Sequence, residues 1–529
     1  MSTFDLQSLP SEWKTSTLSE IAEINPRLQR SSIEDSTEVN FVPMRAVEPD
    51  GGGLTKPEVR TYGEVKKGFT SFLSNDVIMA KITPCMENGK TTVVPNLPYE
   101  LCFGSTEFHV VRAERGILPS WIANFLLQHE VRRAAQRRMT GGVGQMRVPE
   151  DFLAELSIPV APAGEQLRIS DALDELLSDL DAAVEALTRA RNKLSQYRAS
   201  VLKAAVRGDL TTEWRKKHLD VEPASTLLQA ILKRRREHWE LEQLRRFKAN
   251  GKNPPVNWKG KYKEPAVPDT ANLPILPTGW TWATAEQLCD FITKGTTPSG
   301  ADAPAPTGEI PFIKVQHLSG DNSFLFENSP SYVSRGINDG FLARSKVFPG
   351  DVLMNIVGPP LGQVSIVPAD FPVWNINQAI AIFRSVRGID NRYLALCLST
   401  HSLLVHALKR AKATAGQVNL TLEICRELPI PVPPMDEQAA ILEAADEQFS
   451  TIQHLAGDLT VKREAAKALR QSILRHAFSG KLVQQDPKEE HASELLSRIA
   501  AERGARTSAA EKKTVSHGLA SRRRKNRVK

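Results

Sequence analysis

The chain repeats itself over a long interval. GQMRV at 144–148 matches GQVNL at 416–420, and ELSIPVAPAGEQ at 155–166 matches ELPIPVPPMDEQ at 427–438. Position 416 lies 272 residues after 144, and 427 the same 272 after 155. The displacement holds without a gap through Asp174/Asp446, Arg198/Arg470, Leu202/Leu474 and Gly208/Gly480, and backwards to Arg112/Arg384. With small shifts it takes in LPSEW at 9–13 against LPTGW at 276–280 and NDVIM at 75–79 against GDVLM at 350–354, and ASTLLQAI at 224–231 recurs as ASELLSRI at 492–499. Solenoid repeats run to about 20–50 residues, so a two-copy repeat of this length is a duplicated domain. A chain of 529 residues has room for about three or four folded units.

Each copy ends in a helical pattern. Positions 173, 176, 180, 183, 187, 190, 194, 197, 201 and 204 read Leu, Leu, Leu, Ala, Leu, Ala, Leu, Tyr, Val, Ala, a heptad seam that predicts a helix burying one stripe against a partner helix. The expected seam residues are Leu173, Leu176, Leu180, Leu187, Leu194, Tyr197 and Val201 in the first copy, and Ile452, Leu455, Leu459, Leu469 and Ile473 in the second. The second stripe also carries Gln448, Lys462 and His476, polar groups that set register and partner at some cost in stability. The natural partner of each helix is the other. About 40 residues of helix span roughly 60 Å, against roughly 34 Å for a turn of B-DNA.

The segments before the helices alternate short apolar runs (DVIMAKI, KTTVV; DVLMNIV, QVSIV) with Pro and Gly, the pattern of an α+β domain. The expected divisions are globular unit 1–160, helix 161–207, basic linker 208–275, globular unit 276–432, helix 433–480 and a basic, partly disordered tail 481–529. The formal charge of +7 is concentrated in the linker and tail, which favours a polyanionic partner without identifying one. Five widely spaced cysteines with no C-x-x-C pair suggest neither a disulfide framework nor a zinc ribbon. The N-terminus lacks the pattern of an export signal and no apolar run reaches membrane-spanning length, so a soluble cytoplasmic protein is expected.

AKITPCMENGK at 80–90, GSTEFHV at 104–110, TGGVGQMRVP at 140–149 and IPFIKVQHL at 310–318, with the junctions SIPVAPAGEQLRI and PIPVPPMDEQAAI and the ending FSGKLVQQDP, resemble type I restriction-modification specificity subunits over nearly the whole chain. The resemblance implies two target recognition domains separated by two long antiparallel coiled-coil helices. Each domain would read one half of an asymmetric, bipartite site in double-stranded DNA, and the helices would set the unread gap. It further implies two adenine methyltransferase subunits and motor-nuclease subunits as partners. These would hold S-adenosylmethionine, ATP and Mg; no cofactor or metal is expected in this chain. The long insert after Gly208 is a departure whose role the resemblance does not assign.

Candidate DNA contacts follow from side-chain chemistry, since Arg and Lys hold phosphates while Arg, Asn and Gln pair with base edges. Arg132, Arg133, Arg137 and Arg138 recur at helical spacing before the glycine-rich turn 141–144, and Lys409, Arg410 and Lys412 hold the same place in the second copy. Gln145 and Gln417 follow glycine in both; a close approach to DNA and a tight structural turn explain them equally well. Lys314, Gln316 and His317 end a β-like run, with Arg45 as the first copy's counterpart, and Lys81 and Lys90 bracket KITPCMENGK. The basic runs Lys233–Arg236 and Arg522–Lys525 fit phosphate, a partner surface or plain solvation.

Three fragments imitate catalytic motifs. Asn253-Pro254-Pro255-Val256 lacks the aromatic that would stack on a flipped base. Gly89-Lys90-Thr91 has Pro84 where a phosphate loop needs glycine. Pro49-Asp50 with Glu64-Val65-Lys66 spells a nuclease pattern absent from the second copy. A non-catalytic subunit is therefore expected; the rivals are a self-contained nuclease and a coiled-coil scaffold without sequence specificity.

Overall fold

The computed structural model describes residues 9–28, 33–142, 144–320, 323–411, 413–414, 417–506 and 508. It divides into two compact units, one formed by Met1–Thr188 with Thr460–Lys529 and the other by Arg189–Leu459. Each unit therefore contains half of both long helices, Ala163–Arg207 and Met435–Phe478. No helix among the described residues is long and apolar enough to cross a membrane.

In the first unit, Lys14–Thr17 pairs with Ser157–Val160, fastening the start of the globular part to its end. An antiparallel sheet runs in the order Ala22–Ile24, Phe108–Ala113, Val77–Ala80, Thr91–Val93. A second runs Glu58–Thr61, Glu38–Val42, Leu101–Gly104, Thr70–Leu73, its central pair parallel. All four residues of Val77–Ala80 are buried, as expected of a continuous apolar run inside a sheet.

The second unit repeats this plan. Thr281–Thr284 pairs with Pro429–Val432, and the four-stranded sheet is Cys289–Lys294, Ile380–Ser385, Val352–Asn355, Val364–Ile366. The other sheet keeps three strands, Tyr332–Val333, Ile310–Ile313 and Asn375–Ile376, the last two parallel. From strands Phe108–Ala113 and Ile380–Ser385 onward the displacement of 272 persists element by element: helices Pro119–Leu126 and His129–Arg138 recur as Asn391–Leu398 and His401–Arg410.

The repeat also preserves chemistry. Asp76, buried before its strand, accepts from Arg112 Nε and Nη2, both at 2.7 Å. Asp351 accepts from Arg384 Nε at 2.8 Å and Nη2 at 2.7 Å. Two charge-assisted bonds offset the cost of burying each carboxylate.

Within each unit the helix halves run antiparallel. In the first, Arg470 pairs with Asp181, while Gln485, beyond the second helix, reaches Glu165 at the start of the first. In the second, Tyr197 Oη donates to Gln448 at 2.6 Å, the Arg198 guanidinium stands 4.4 Å over the Phe449 ring, and Thr211 reaches Glu437. Tyr197 thus satisfies one of the polar groups on the second stripe. Both helices stop at a left-handed glycine, Gly208 (φ 74°) and Gly480 (φ 69°).

Burial departs from the heptad expectation. Leu173, Val201 and Ile452 are buried, and Leu180, Leu187, Leu194, Leu459 and Ile473 are half-buried. Leu176, Tyr197, Leu455 and Leu469 are exposed. Near its start the first helix buries Ile169, Leu173 and Leu177, a spacing of four, because there it lies on the globular core containing Trp13 and Trp121 as well as on its partner. Farther along, the middle of the first helix has only half-buried residues, Val184, Leu187, Ala190 and Leu194, among exposed ones.

The segments expected as a basic linker and a basic tail are folded where described. In 208–275, helix Ala224–Ala249 buries Ala224 and Ile231 in the second core. In 481–529, residues 492–506 are helical and bury Ala492, Leu495 and Ile499 in the first. These are the segments that recur as ASTLLQAI and ASELLSRI. Ala224 N–H donates to the Gly279 carbonyl at 2.8 Å and Ala492 N–H to that of Glu12 at 3.0 Å, and Gly279 and Glu12 are themselves equivalent in LPTGW and LPSEW.

Candidate nucleic-acid interface

In each unit the strand that enters the parallel pair ends in a single 3-10 turn, Met44–Ala46 or Val315–His317. The middle residue, Arg45 or Gln316, points outward. Arg45 pairs with Glu58, a largely exposed bridge worth little, and Gln316 Nε2 donates to Ser329 Oγ at 2.7 Å. The third residue points inward: Ala46 is buried, and His317 is fully buried.

His317 Nδ1 accepts from Lys314 N–H at 3.0 Å while Nε2 lies 2.9 Å from the Ser329 carbonyl. Burial pushes its pKa down, and the bonds suit a neutral ring with its proton on Nε2. His317 therefore builds the turn and has no edge left for a base. Lys314 is half-buried beside it.

In the first unit, the segment 81–90 ties several candidates together. Lys81, half-buried, leaves the central strand; its N–H donates to the Glu107 carbonyl at 2.9 Å and its carbonyl accepts from Val148 at 2.8 Å. Lys90 Nζ donates to the Met44 carbonyl at 3.0 Å, supporting the turn that carries Arg45. Thr83 N–H donates to the Met146 carbonyl at 3.0 Å, holding the turn that contains Gln145. Gln145 is exposed, and its N–H donates to Gly142 O at 2.9 Å. Beside it Arg147, which sequence reasoning missed, grips Glu107 with two bonds of 2.8 Å and keeps that carboxyl below its usual range.

The four arginines of helix His129–Arg138 do not form one face. Arg133, Arg137 and Arg138 are exposed, and Arg138 lies 3.9 Å from Glu155. Arg132 is buried, 2.9 Å from Asp50 Oδ1 and 3.0 Å from the Glu87 carbonyl. A Cβ at Gly89 would stand 2.5 Å from its Nη1; the matching Gly362 packs the same way on Leu404, the residue 272 positions after Arg132. Arg132 thus occupies a packing position.

In the second unit, Lys409 and Arg410 are exposed at the end of helix His401–Arg410, with Arg410 paired to Glu427. Lys412 lies outside the described residues. Gln417 lies in a two-residue strand paired with Ala413–Thr414, and its side chain lies outside those described. As in the first unit, the chain after this turn bridges to the exit of the central strand, Val357 to Asn419 as Ile82 to Arg147.

The nuclease-like residues do not converge. Asp50 serves Arg132, Glu64 caps a short helix through Thr61 N–H at 2.8 Å, and Lys66 pairs with Asp35. Among the described residues no cluster of His, Cys, Asp or Glu is arranged to hold a metal. Burial pushes the Cys102 thiol up to about 11 and those of Cys397 and Cys425 up to about 12, which leaves them protonated.

Residues 10–189 and 277–457 each match the type I restriction modification DNA specificity domain. The chain belongs to that family. It is 28% identical over 521 residues to the Escherichia coli type I restriction enzyme EcoEI specificity subunit, covering 89% of this chain and 83% of that one. It is 25% identical over 500 residues to the EcoAI specificity subunit of the same species, covering 84% and 79%. A chain from a structure described as the basis of complex assembly and conformational transition of the type I R-M system shares the fold, with a TM-score of 0.54 at 20% identity, covering 89% of this chain and 99% of that one. Membership makes the protein a specificity component rather than a catalyst.

Proposed function

We propose that this specificity subunit reads a bipartite, asymmetric site in duplex DNA, one half by each unit. It would direct two adenine methyltransferase subunits, and motor-nuclease subunits where present, to that site. S-adenosylmethionine, ATP and Mg would be held by those partners. The observation that carries the proposal is the unequal chemistry at matched positions of two equivalent units: Arg45 against Gln316 at the outward residue of the same turn. Arg pairs in bidentate fashion with guanine O6/N7 and Gln with adenine N6/N7, so equivalent scaffolds carrying them favour different half-sites. The basic helix ends, Arg137 and Arg138 in one unit and Lys409 and Arg410 in the other, suit phosphates that orient each unit without reading sequence.

Modified-base mapping of host DNA with and without the gene tests this. Loss of adenine methylation at one split, asymmetric motif supports it; methylation lost at a continuous or palindromic motif, or at none, overturns it.

A further inference from the structure

The insert after Gly208 is an ordered arm. The sequence echo between helix Ala224–Ala249 and 492–506 ends at Ile231, the last position of the repeated ASTLLQAI, and the helix runs on beyond the stretch matched by 492–506. Beyond it the helix continues and the chain returns along it, held by aromatic rings. Trp239 stacks on Trp258 at 5.9 Å and meets Tyr262 at 5.3 Å, and Phe247 stands edge-on to Trp258 at 6.1 Å. Lys259–Glu240 at 2.8 Å and Arg236–Glu264 at 3.4 Å close the same face. Residues 500–529, from the position after the counterpart of Ile231 onward, contain no Phe, Trp or Tyr, so this brace belongs to one copy alone.

The brace orders a dense positive charge. Residues 233–264 hold eleven Lys and Arg against four Glu, a net +7 that equals the formal charge of the whole chain. Among the described residues Lys233, Arg245, Lys248, Lys252, Lys261 and Lys263 form no ion pair, and all are exposed. At about 100° per residue, Lys233, Arg234, Arg245 and Lys248 fall within a sector of about 120° centred opposite Trp239, a sector they share with Glu237, Leu241 and Leu244. A connection that only spanned a distance would need neither the aromatic cluster nor the entropy cost of ordering it.

We infer that this arm binds the phosphate backbone of duplex DNA irrespective of sequence, adding affinity that the two reading units do not supply; the inference rests on the DNA-reading function proposed above. Five of the six free cations are lysines. Lysine is depleted in protein–protein interfaces but meets phosphate readily as a point charge. Leu241 and Leu244 are exposed on the arm but are too few to form an apolar docking face.

The test is equilibrium binding by the full-length chain across a salt series, to a duplex carrying the mapped motif and to one of scrambled sequence. The variants are Lys233→Gln/Arg245→Gln/Lys248→Gln/Lys252→Gln and, independently, Lys261→Gln/Lys263→Gln, each checked for parental circular dichroism. Each lost phosphate contact lowers the slope of log affinity against log salt by about 0.9. The fourfold variant is expected to lose about 2 to 4 in slope and tenfold or more in affinity near 0.1 M salt, equally on both duplexes. Unchanged slopes in both variants overturn the arm's role, as does unchanged DNA binding with weakened capture of the methyltransferase subunit. If the parent shows no sequence preference but the variants still lose slope, the DNA-reading function fails while the arm's role stands.

Discussion

The indole Nε1 of Trp13 donates to the carboxylate of Glu165 at 2.9 Å, and Trp280 makes the same bond to Glu437 at 2.8 Å in the other unit. Both carboxylates sit at the start of a long helix, buried, and each takes a second donor from the chain beyond the end of the other helix. Gln485 Nε2 reaches Glu165 and Arg215 Nη1 reaches Glu437, each at 2.5 Å. One joint is thus neutral on its donor side and the other is charged.

That difference gives opposite expectations for the two carboxamide variants. Burial pushes the Glu165 carboxyl above its usual range despite its donors. A raised carboxyl contributes stability that is full below its unfolded pKa and is lost as pH rises through the folded value. Glu165→Gln should therefore flatten the fall in stability above about pH 4.5 and cost little at pH 7. Glu437→Gln leaves Arg215 without its charge partner and should cost about 1.5–3 kcal/mol at pH 7. Urea denaturation of both variants between pH 4.5 and 7.5 decides; equal costs at pH 7 would refute the distinction.

Arg112→Leu leaves Asp76 buried without its two charge-assisted bonds. Because Arg112 itself is about one-third exposed, the expected loss lies at the low end for a broken buried pair, about 3 kcal/mol. Adding Asp76→Asn should recover part of it, since no charge then remains stranded. The same pair of changes at Arg384 and Asp351 should behave alike; denaturation midpoints measure both.

Much of this was legible in the sequence because duplication supplies its own alignment. The 272-residue displacement located the equivalent helices, the Arg112/Arg384 pair and the helix junctions before any fold was known. What escaped were facts set by residues distant in the chain. Arg132 reads as part of a basic helix face until Asp50, 82 positions away, is seen to hold it. His317 reads as a loop side chain until the Ser329 carbonyl closes on its ring. Heptad spacing placed the stripe but not the exposure of Leu176, Leu455 or Leu469; beside Leu176 the globular core takes Leu173 and Leu177, a spacing of four, instead. The order in 492–506 was announced only by the echo of ASTLLQAI.

Two arginines of one helix should separate cleanly on DNA. Arg137→Gln removes an exposed cation and should lower the salt slope by about 0.9 while leaving motif preference unaltered. Arg132→Met replaces a packing residue whose Nε has no hydrogen-bond partner among the described residues and should leave the slope unchanged. A matching loss of slope in both variants would return Arg132 to the interface.

Gln316→Ala should relax methylation at one half of the motif only, losing about 1–3 kcal/mol of discrimination at one base pair, and Arg45→Ala should do so at the other half. Base-resolution methylation profiles of strains carrying each variant give the outcome. Relaxation of both halves by either change would contradict division of the site between units.

The most direct test of two reading units held apart by paired helices is to shorten both helices together. Deleting 184–190 and 458–464 removes one heptad from each while preserving their antiparallel pairing, about 10 Å of rod or about three base pairs. Methylome mapping should then show both half-sites intact with the unread gap shortened by about that amount. Altered half-site sequences, or an unchanged gap with methylation retained, would contradict it.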